Sequence, residues 1–235
     1  MTSGRREDAI AILGGTGDQG LGLALRFAKA GRPVVIGSRV PERAAKAADE
    51  VKAAVPGSDV IGLGNGEATR CAPIVILSVP FEHAAATVKT IRGSLGAGQI
   101  VVSMGVPLAT AVGDAAVRTI GVWQGSCAEL VASLLPDGVH TVSAFQNVSA
   151  HRLRDLSHSV ECDVVVSGAA EPRRAVMALC DLVPGLRAVD GGPLSNARIV
   201  ESMTALLIGL NLRLKVPEGI GIRFTGLPEG TGRAS

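Results

Sequence analysis

A glycine-rich turn near the N-terminus constrains this chain more than any other feature. The run Gly14-Gly15-Thr16-Gly17-Asp18-Gln19-Gly20 separates a short apolar segment, residues 9–13, from a helix-length one, residues 21–30. Strand, glycine turn, helix is the opening of a β-α unit. The same alternation continues along the chain. Strands are expected at 33–36, 60–63, 74–79 and 99–103, and helices at 41–55 and 82–91. Gly31 closes the first helix, Pro41 opens the second, Pro56 follows its end, and Pro80 stops the strand before it. Short strands that are apolar on both faces belong in a parallel sheet covered by helices on each side.

Beyond residue 108 the rhythm continues less cleanly. Helices are expected at 127–135, 172–182 and 196–215, and strands at 141–145, 163–167 and 186–189. The fold expected is therefore α/β. A Rossmann-type, doubly wound and mostly parallel sheet covers residues 1–150, and a smaller C-terminal α/β domain covers 151–235. In the last helix Val200, Met203, Leu207, Leu210 and Leu214 keep a 3/4 spacing, and much of the remaining surface is apolar too. Such a helix is buried or lies at a subunit contact, which leaves room for a homodimer.

Composition removes several function classes. Net charge is +2, so no nucleic-acid or membrane surface working by bulk charge is expected. Aromatics are 2% of the chain, too few for a base-stacking platform. The N-terminal residues lack a signal-peptide core, and no run approaches the ~18 apolar residues of a membrane span. Cys71, Cys127, Cys162 and Cys180 stand 56, 35 and 18 residues apart. That spacing suits free thiols in the cytoplasm better than a zinc site or disulfides. His151 and His158 have no third ligand nearby in sequence, and no metal site is expected.

The glycine turn has its own chemistry. Gly15, Gly17 and Gly20 satisfy G-x-G-x-x-G. In that pattern the first glycine permits the turn, the second admits a pyrophosphate, and the third lets helix and strand approach. Helix N–H groups then bind the anion, and Thr16, Asp18 and Gln19 lie beside it. The second strand ends in Ser38-Arg39, where an NAD enzyme would carry a carboxylate. Ser38, Arg39 and Arg43 instead offer donors to a 2′-phosphate, so NADP is the expected cofactor. The third patch, Ser78-Val79-Pro80-Phe81-Glu82-His83, follows a strand's carboxyl end, the edge that faces the cofactor in this fold. Val79 and Pro80 would wall the nicotinamide. His83 is a candidate cofactor contact, less a catalytic acid.

With these pieces assembled, the sequence resembles the NADPH-dependent reductases of the 8-hydroxy-5-deazaflavin coenzyme F-420. The matching segments are GGTGDQGLGLALR at 14–26, IGSR at 36–39, SVPFEH at 78–83, VVSMGVP at 101–107, TVSAF at 141–145 and GLRAVDGGPLSNARIVESMTALL at 185–207. The resemblance continues to Gly221-Ile222-Arg223-Phe224. It implies NADP contacts at Thr16, Gly17, Asp18, Gln19, Ser38, Arg39, Arg43, Val79, His83, Val106 and Ala150. It also implies a small-molecule deazaflavin substrate in a cleft between the two domains, near Gln146, Val148 and Ile220. Gln146 stands where a histidine is expected after the Ser-Ala-hydrophobe triplet. A bulky residue at Val148 should fill that cleft.

Hydride transfer between two ring carbons needs alignment more than a protein acid or base. The sequence offers no convincing nucleophile or general base, which suits that chemistry. Two alternatives stay open. One is an NADPH-dependent carbonyl or imine reductase, although the Tyr-x-x-x-Lys pair of short-chain reductases is impossible in a chain without tyrosine. The run Val164-Val165-Val166 also reads as a strand, against an all-helical second domain. The other alternative is a non-catalytic NADP sensor.

Overall fold

The structure, a computed structural model, describes residues 6–228. The strands are β1 (Ile10–Leu13), β2 (Val34–Ser38), β3 (Val60–Gly64), β4 (Ile74–Leu77), β5 (Ile100–Ser103), β6 (His140–Ser143), β7 (Cys162–Gly168) and β8 (Leu186–Asp190). The helices are α1 (Asp18–Lys29), α2 (Pro41–Ala54), α3 (Asn65–Cys71), α4 (Phe81–Ile91), α5 (Cys127–Leu134), α6 (Ala150–Arg154), α7 (Ala170–Cys180) and α8 (Ala197–Leu214). They form one eight-stranded sheet ordered β3-β2-β1-β4-β5-β6-β7-β8. Strand order reverses between β1 and β4, so a crevice opens beyond their carboxyl ends. Every strand pair is parallel except β6 with β7, joined antiparallel at Val142 with Gly168 and Ser143 with Ser167.

The strand period sorts the core into two layers. Ile10 and Ile12 of β1 pack with Leu23 and Phe27 of α1, while Ala11 and Leu13 pack with Ala84 and Val88 of α4. Alternating side chains on a strand point to opposite faces, so a strand apolar at every position requires helices on both sides. Each fully buried aliphatic of this kind contributes about 1.5–3 kcal/mol relative to exposure.

Several boundaries differ from those the sequence suggests. α1 begins three residues earlier, at Asp18 rather than residue 21, because the glycine turn feeds straight into it. β6 ends at Ser143, since Phe145 takes a left-handed φ of 69° that no strand accommodates. α3 and α6 are helices with no clear sequence signature: α3 is seven mostly polar residues and α6 is five. In α8 the buried positions are Ala197, Val200, Glu201, Ala205 and Leu207, and Leu214 is exposed. The 3/4 spacing therefore locates the seam only as far as Leu207, short of the helix's last two turns.

Arg26 joins the first helix to the later part of the chain. It is buried, and its guanidinium donates to the carbonyls of Leu153 at 2.9 Å and Arg152 at 2.7 Å, and to that of Asp155. Those carbonyls lie at the end of α6, where helix carbonyls lack partners of their own. All four cysteines are free and buried. Among the described residues, no helix is long and apolar enough to cross a membrane.

Candidate functional site

The glycine turn sits at the strand-order reversal. Gly14 holds a φ of +78°, and a Cβ there would lie 2.2 Å from the Ser78 carbonyl oxygen. The left-handed turn is thus made by Gly14, one residue before the Gly15 that the motif suggests. Gly20 lets α1 close on β1, since a Cβ there would lie 2.8 Å from Gly14 O and Gly15 Cα. Gly17 differs: the protein atom nearest to a Cβ there is 3.5 Å away. Packing within the protein therefore does not require glycine at 17, and the backbone there is left bare. No side chain caps the α1 N-terminus, which leaves its first N–H groups for an anion. The residues present fit a dinucleotide.

Two adjoining cavities extend from this turn. The first, about 490 Å³, is lined by Thr16, Ser38, Arg39, Arg43, Asn65 and His83 among others. Ser38 is buried, and its hydroxyl accepts the Val40 N–H at 3.1 Å, which shapes the β2–α2 turn. Arg39 and Arg43 are exposed, and among the described residues no carboxylate pairs with either, unlike Arg6, Arg154 and Arg187. Two unpaired guanidiniums at the mouth of a dinucleotide cavity suit a 2′-phosphate. Asp18 instead turns its carboxylate outward to Arg154 at 2.6 Å, so toward a cofactor it offers its backbone.

The second cavity, about 500 Å³, shares Gly17, Ser78, Val79 and Pro80 with the first. It adds Gln19, Met104, Val106, Gln146, Thr204 and Ile208. Val79 and Pro80 therefore wall both. A third cavity of about 360 Å³ continues past Gln19 and Gln146 to Val148, Ala150 and Ile220. The structure thus brings the expected residues into one connected cleft. Ala150 lies in this third part, with Gln146 and Ile220. Val148 also borders it, but its side chain is 4% exposed and belongs to the core. A bulky replacement at 148 would overpack that core rather than simply fill a cleft.

The loop after β6 is held by its own polar contacts. The Gln19 amide donates to the carbonyls of Phe145 at 3.0 Å and Val148 at 3.2 Å. This fixes the left-handed Phe145, a backbone conformation that needs such support. The Gln146 amide nitrogen donates to Ser143 Oγ and, at 3.4 Å, to the Ser103 carbonyl. Its Oε1 is buried and has no hydrogen-bond partner among the described residues. Thr204 on α8 donates to the Gln146 carbonyl at 3.1 Å.

Glu201 is a feature the sequence reading missed. It is 1% exposed, and its carboxylate accepts the N–H groups of Cys127 at 2.8 Å and Ala128 at 3.0 Å. Burial pushes its pKa up to about 7, against the opposing pull of those two N–H groups. It fastens α8 to the start of α5, one turn before Thr204 and Ile208 reach the cleft. A carboxylate on the buried face of an otherwise apolar helix was the available signal. Among the described residues, no cluster of three or more His, Cys, Asp or Glu could hold a metal.

The comparisons with known proteins agree with this geometry. Residues 9–107 match the family described as "NADP oxidoreductase coenzyme F420-dependent". The "F420-dependent NADP reductase" of Methanocaldococcus jannaschii is 47% identical over 93% of this chain and 98% of its own length. The chain belongs to the F420-dependent NADP reductase family. The reductase of the same name from Methanothermobacter thermautotrophicus is 43% identical over 94% of this chain and 96% of its own length. Among solved structures, a chain from Arthrobacter sp. FB24 superposes with a TM-score of 0.74 at 24% identity, over 92% of this chain and 99% of that one. The reductive aminase of Aspergillus terreus shares the fold alone: TM-score 0.58, 13% identity, 89% of this chain and 63% of that one. Family membership thus rests on near-full-length relatives, and the fold is common to a wider set of dehydrogenases.

Proposed function

We propose that this protein transfers a hydride between NADP(H) and the deazaflavin coenzyme F-420. The observation that carries the reading is the connected cleft. It runs from the unpaired Arg39 and Arg43, past the bare backbone of Gly17, to the Val79-Pro80 wall and on to Gln146 and Ile220. Near-full-length relatives named for this activity support it.

When bound, the nicotinamide and the deazaflavin supply the redox chemistry between them. The chain's own residues bind and align. Gly17 and the α1 N-terminus would hold the pyrophosphate, and Arg39 and Arg43 the 2′-phosphate. Val79 and Pro80, which line both cavities, would wall the nicotinamide. Residues 1–150 act as the NADP-binding part. Residues 151–235 complete the acceptor side, where Thr204, Ile208 and Ile220 meet Gln146. No side chain of the cleft is assigned a proton-transfer role, because bringing two rings into contact in the right orientation is the main catalytic contribution. A homodimer joined through the exposed Ile199, Leu206 and Leu212 of α8 fits this arrangement, as does a cytoplasmic location for four free thiols.

The test is direct. Purified protein, NADPH and oxidised deazaflavin should give loss of the deazaflavin absorbance. Reduction of a ketone or imine with no deazaflavin turnover would overturn the reading.

A further inference from the structure

The acceptor end of the cleft is lined by α8 and by two segments far apart in sequence, the loop at 146–151 and the strap at 216–220, which runs on to residue 224. One residue holds both. Asp163 is the second residue of β7, fully buried next to the apolar Val164-Val165-Val166 run. Its main-chain carbonyl accepts the Asn147 amide at 2.7 Å, and its N–H donates to the Ile222 carbonyl at 2.7 Å. Its carboxylate accepts the Phe224 N–H at 2.7 Å, Arg223 at 2.8 Å and Arg187 at 2.8 Å. Burial would raise its pKa, but the bonds from Arg187, Phe224 and Arg223 hold it below the ordinary carboxylate value.

The rest of the strap is tied down on either side of the cavity residue. The Arg152 guanidinium donates to the Gly219 carbonyl at 2.8 Å, the Ser149 hydroxyl to the Glu218 carbonyl at 2.7 Å, and the Ile220 N–H to Asn211 Oδ1 at 2.8 Å. Without regular secondary structure of its own, this segment owes its course to such side-chain bonds. Such an ion pair is a weak source of stability compared with apolar packing, and what it supplies here is the fixed direction of its hydrogen bonds. A carboxylate inside an apolar strand needs such a reason.

We infer that Asp163, with Arg223, is a positioning residue for the deazaflavin: it sets the strap so that Ile220 faces Gln146 across the acceptor cavity. This rests on the function proposed above. Neither side chain reaches the NADP cavities, so the two cofactors respond differently to its loss.

Arg223→Ala in the full chain is the primary test, because it removes one of the strap's ties to Asp163 while Arg187 still pairs that carboxylate. KM for the deazaflavin should rise about tenfold, the effect of losing one charge-assisted hydrogen bond, with kcat nearly unchanged. NADPH affinity, by fluorescence titration, should stay within about twofold, as expected of a surface change remote from that site. Arg223→Lys should recover most of the loss. Amide hydrogen exchange at Ile220 should quicken in Arg223→Ala. Asp163→Asn should show the same split, and if it does not fold, the Arg223 pair decides. An unchanged KM, or an equal loss of NADPH affinity, overturns the inference. Wild-type protein inactive toward deazaflavin would overturn the underlying function instead. Unaltered exchange at Ile220 would then overturn the strap's dependence on Arg223.

Discussion

Replacing Arg39 with alanine should convert an NADP-selective site into a nearly indifferent one. The guanidinium stands just after β2 beside the first cavity and, among the described residues, has no carboxylate partner to compete with a ligand. A hydrogen bond to a charged group contributes about 1.5–3 kcal/mol. At about 1.4 kcal/mol per decade, that is roughly a 10- to 150-fold loss of NADP affinity. Arg39 is exposed, and Arg43 remains to share the charge, so the lower end, about 10- to 30-fold, is expected. NAD has no 2′-phosphate, and its affinity should barely change. Salt supplies an internal control. Screening shortens the range of charge from about 10 Å at 0.1 M to about 3 Å at 1 M, so the wild-type preference for NADPH should shrink with salt more than that of Arg39→Ala. Fluorescence titrations with NADPH and NADH at both salt concentrations measure this. Equal losses for the two cofactors, or none, would refute the assignment of Arg39.

The remaining predictions concern the rest of the cleft. Ile220→Trp should abolish deazaflavin turnover while NADPH binding persists, because the side chain is half-buried and lines only the acceptor cavity; parallel loss of NADPH binding would contradict that placement. His83→Ala should cost at most about 100-fold and act through NADP affinity, whereas a loss near 10⁴-fold at unchanged affinity would reveal a missed general acid. Glu201, with a pKa of about 7 in the fold against 4.5 ordinarily, binds more protons folded than unfolded. Its contribution therefore weakens as pH rises from about 4.5 to 7, by at most about 3 kcal/mol. Denaturant midpoints across that range should fall in wild type and flatten in Glu201→Gln; parallel slopes would sink the idea.

The cofactor half of the molecule was legible in the sequence because its signals are local. A glycine turn between an apolar strand and a helix, followed by Ser38-Arg39 at the next strand's end, reports backbone geometry and ligand charge within a few residues. The acceptor half depends on contacts between distant segments. Glu201 becomes meaningful only when α8 meets the start of α5, and Asp163 only when residues 222–224 fold back on β7. Val148 shows the converse limit: its place beside Gln146 was legible, but not that its side chain turns into the core. α3 escaped notice because Asn65, Gly66 and Glu67 give no apolar period, and its buried residues are Ala68, Thr69 and Cys71 at the far end.

In the proposed reaction the hydride passes directly from one aligned ring to the other, and the proton that completes deazaflavin reduction comes from water. A single turnover with NADPH deuterated at the transferable position measures it. The label should appear on the reactive ring carbon of the reduced deazaflavin, with none released to water. Label washed out into solvent, or delivered only to a carbonyl or imine, would contradict the account.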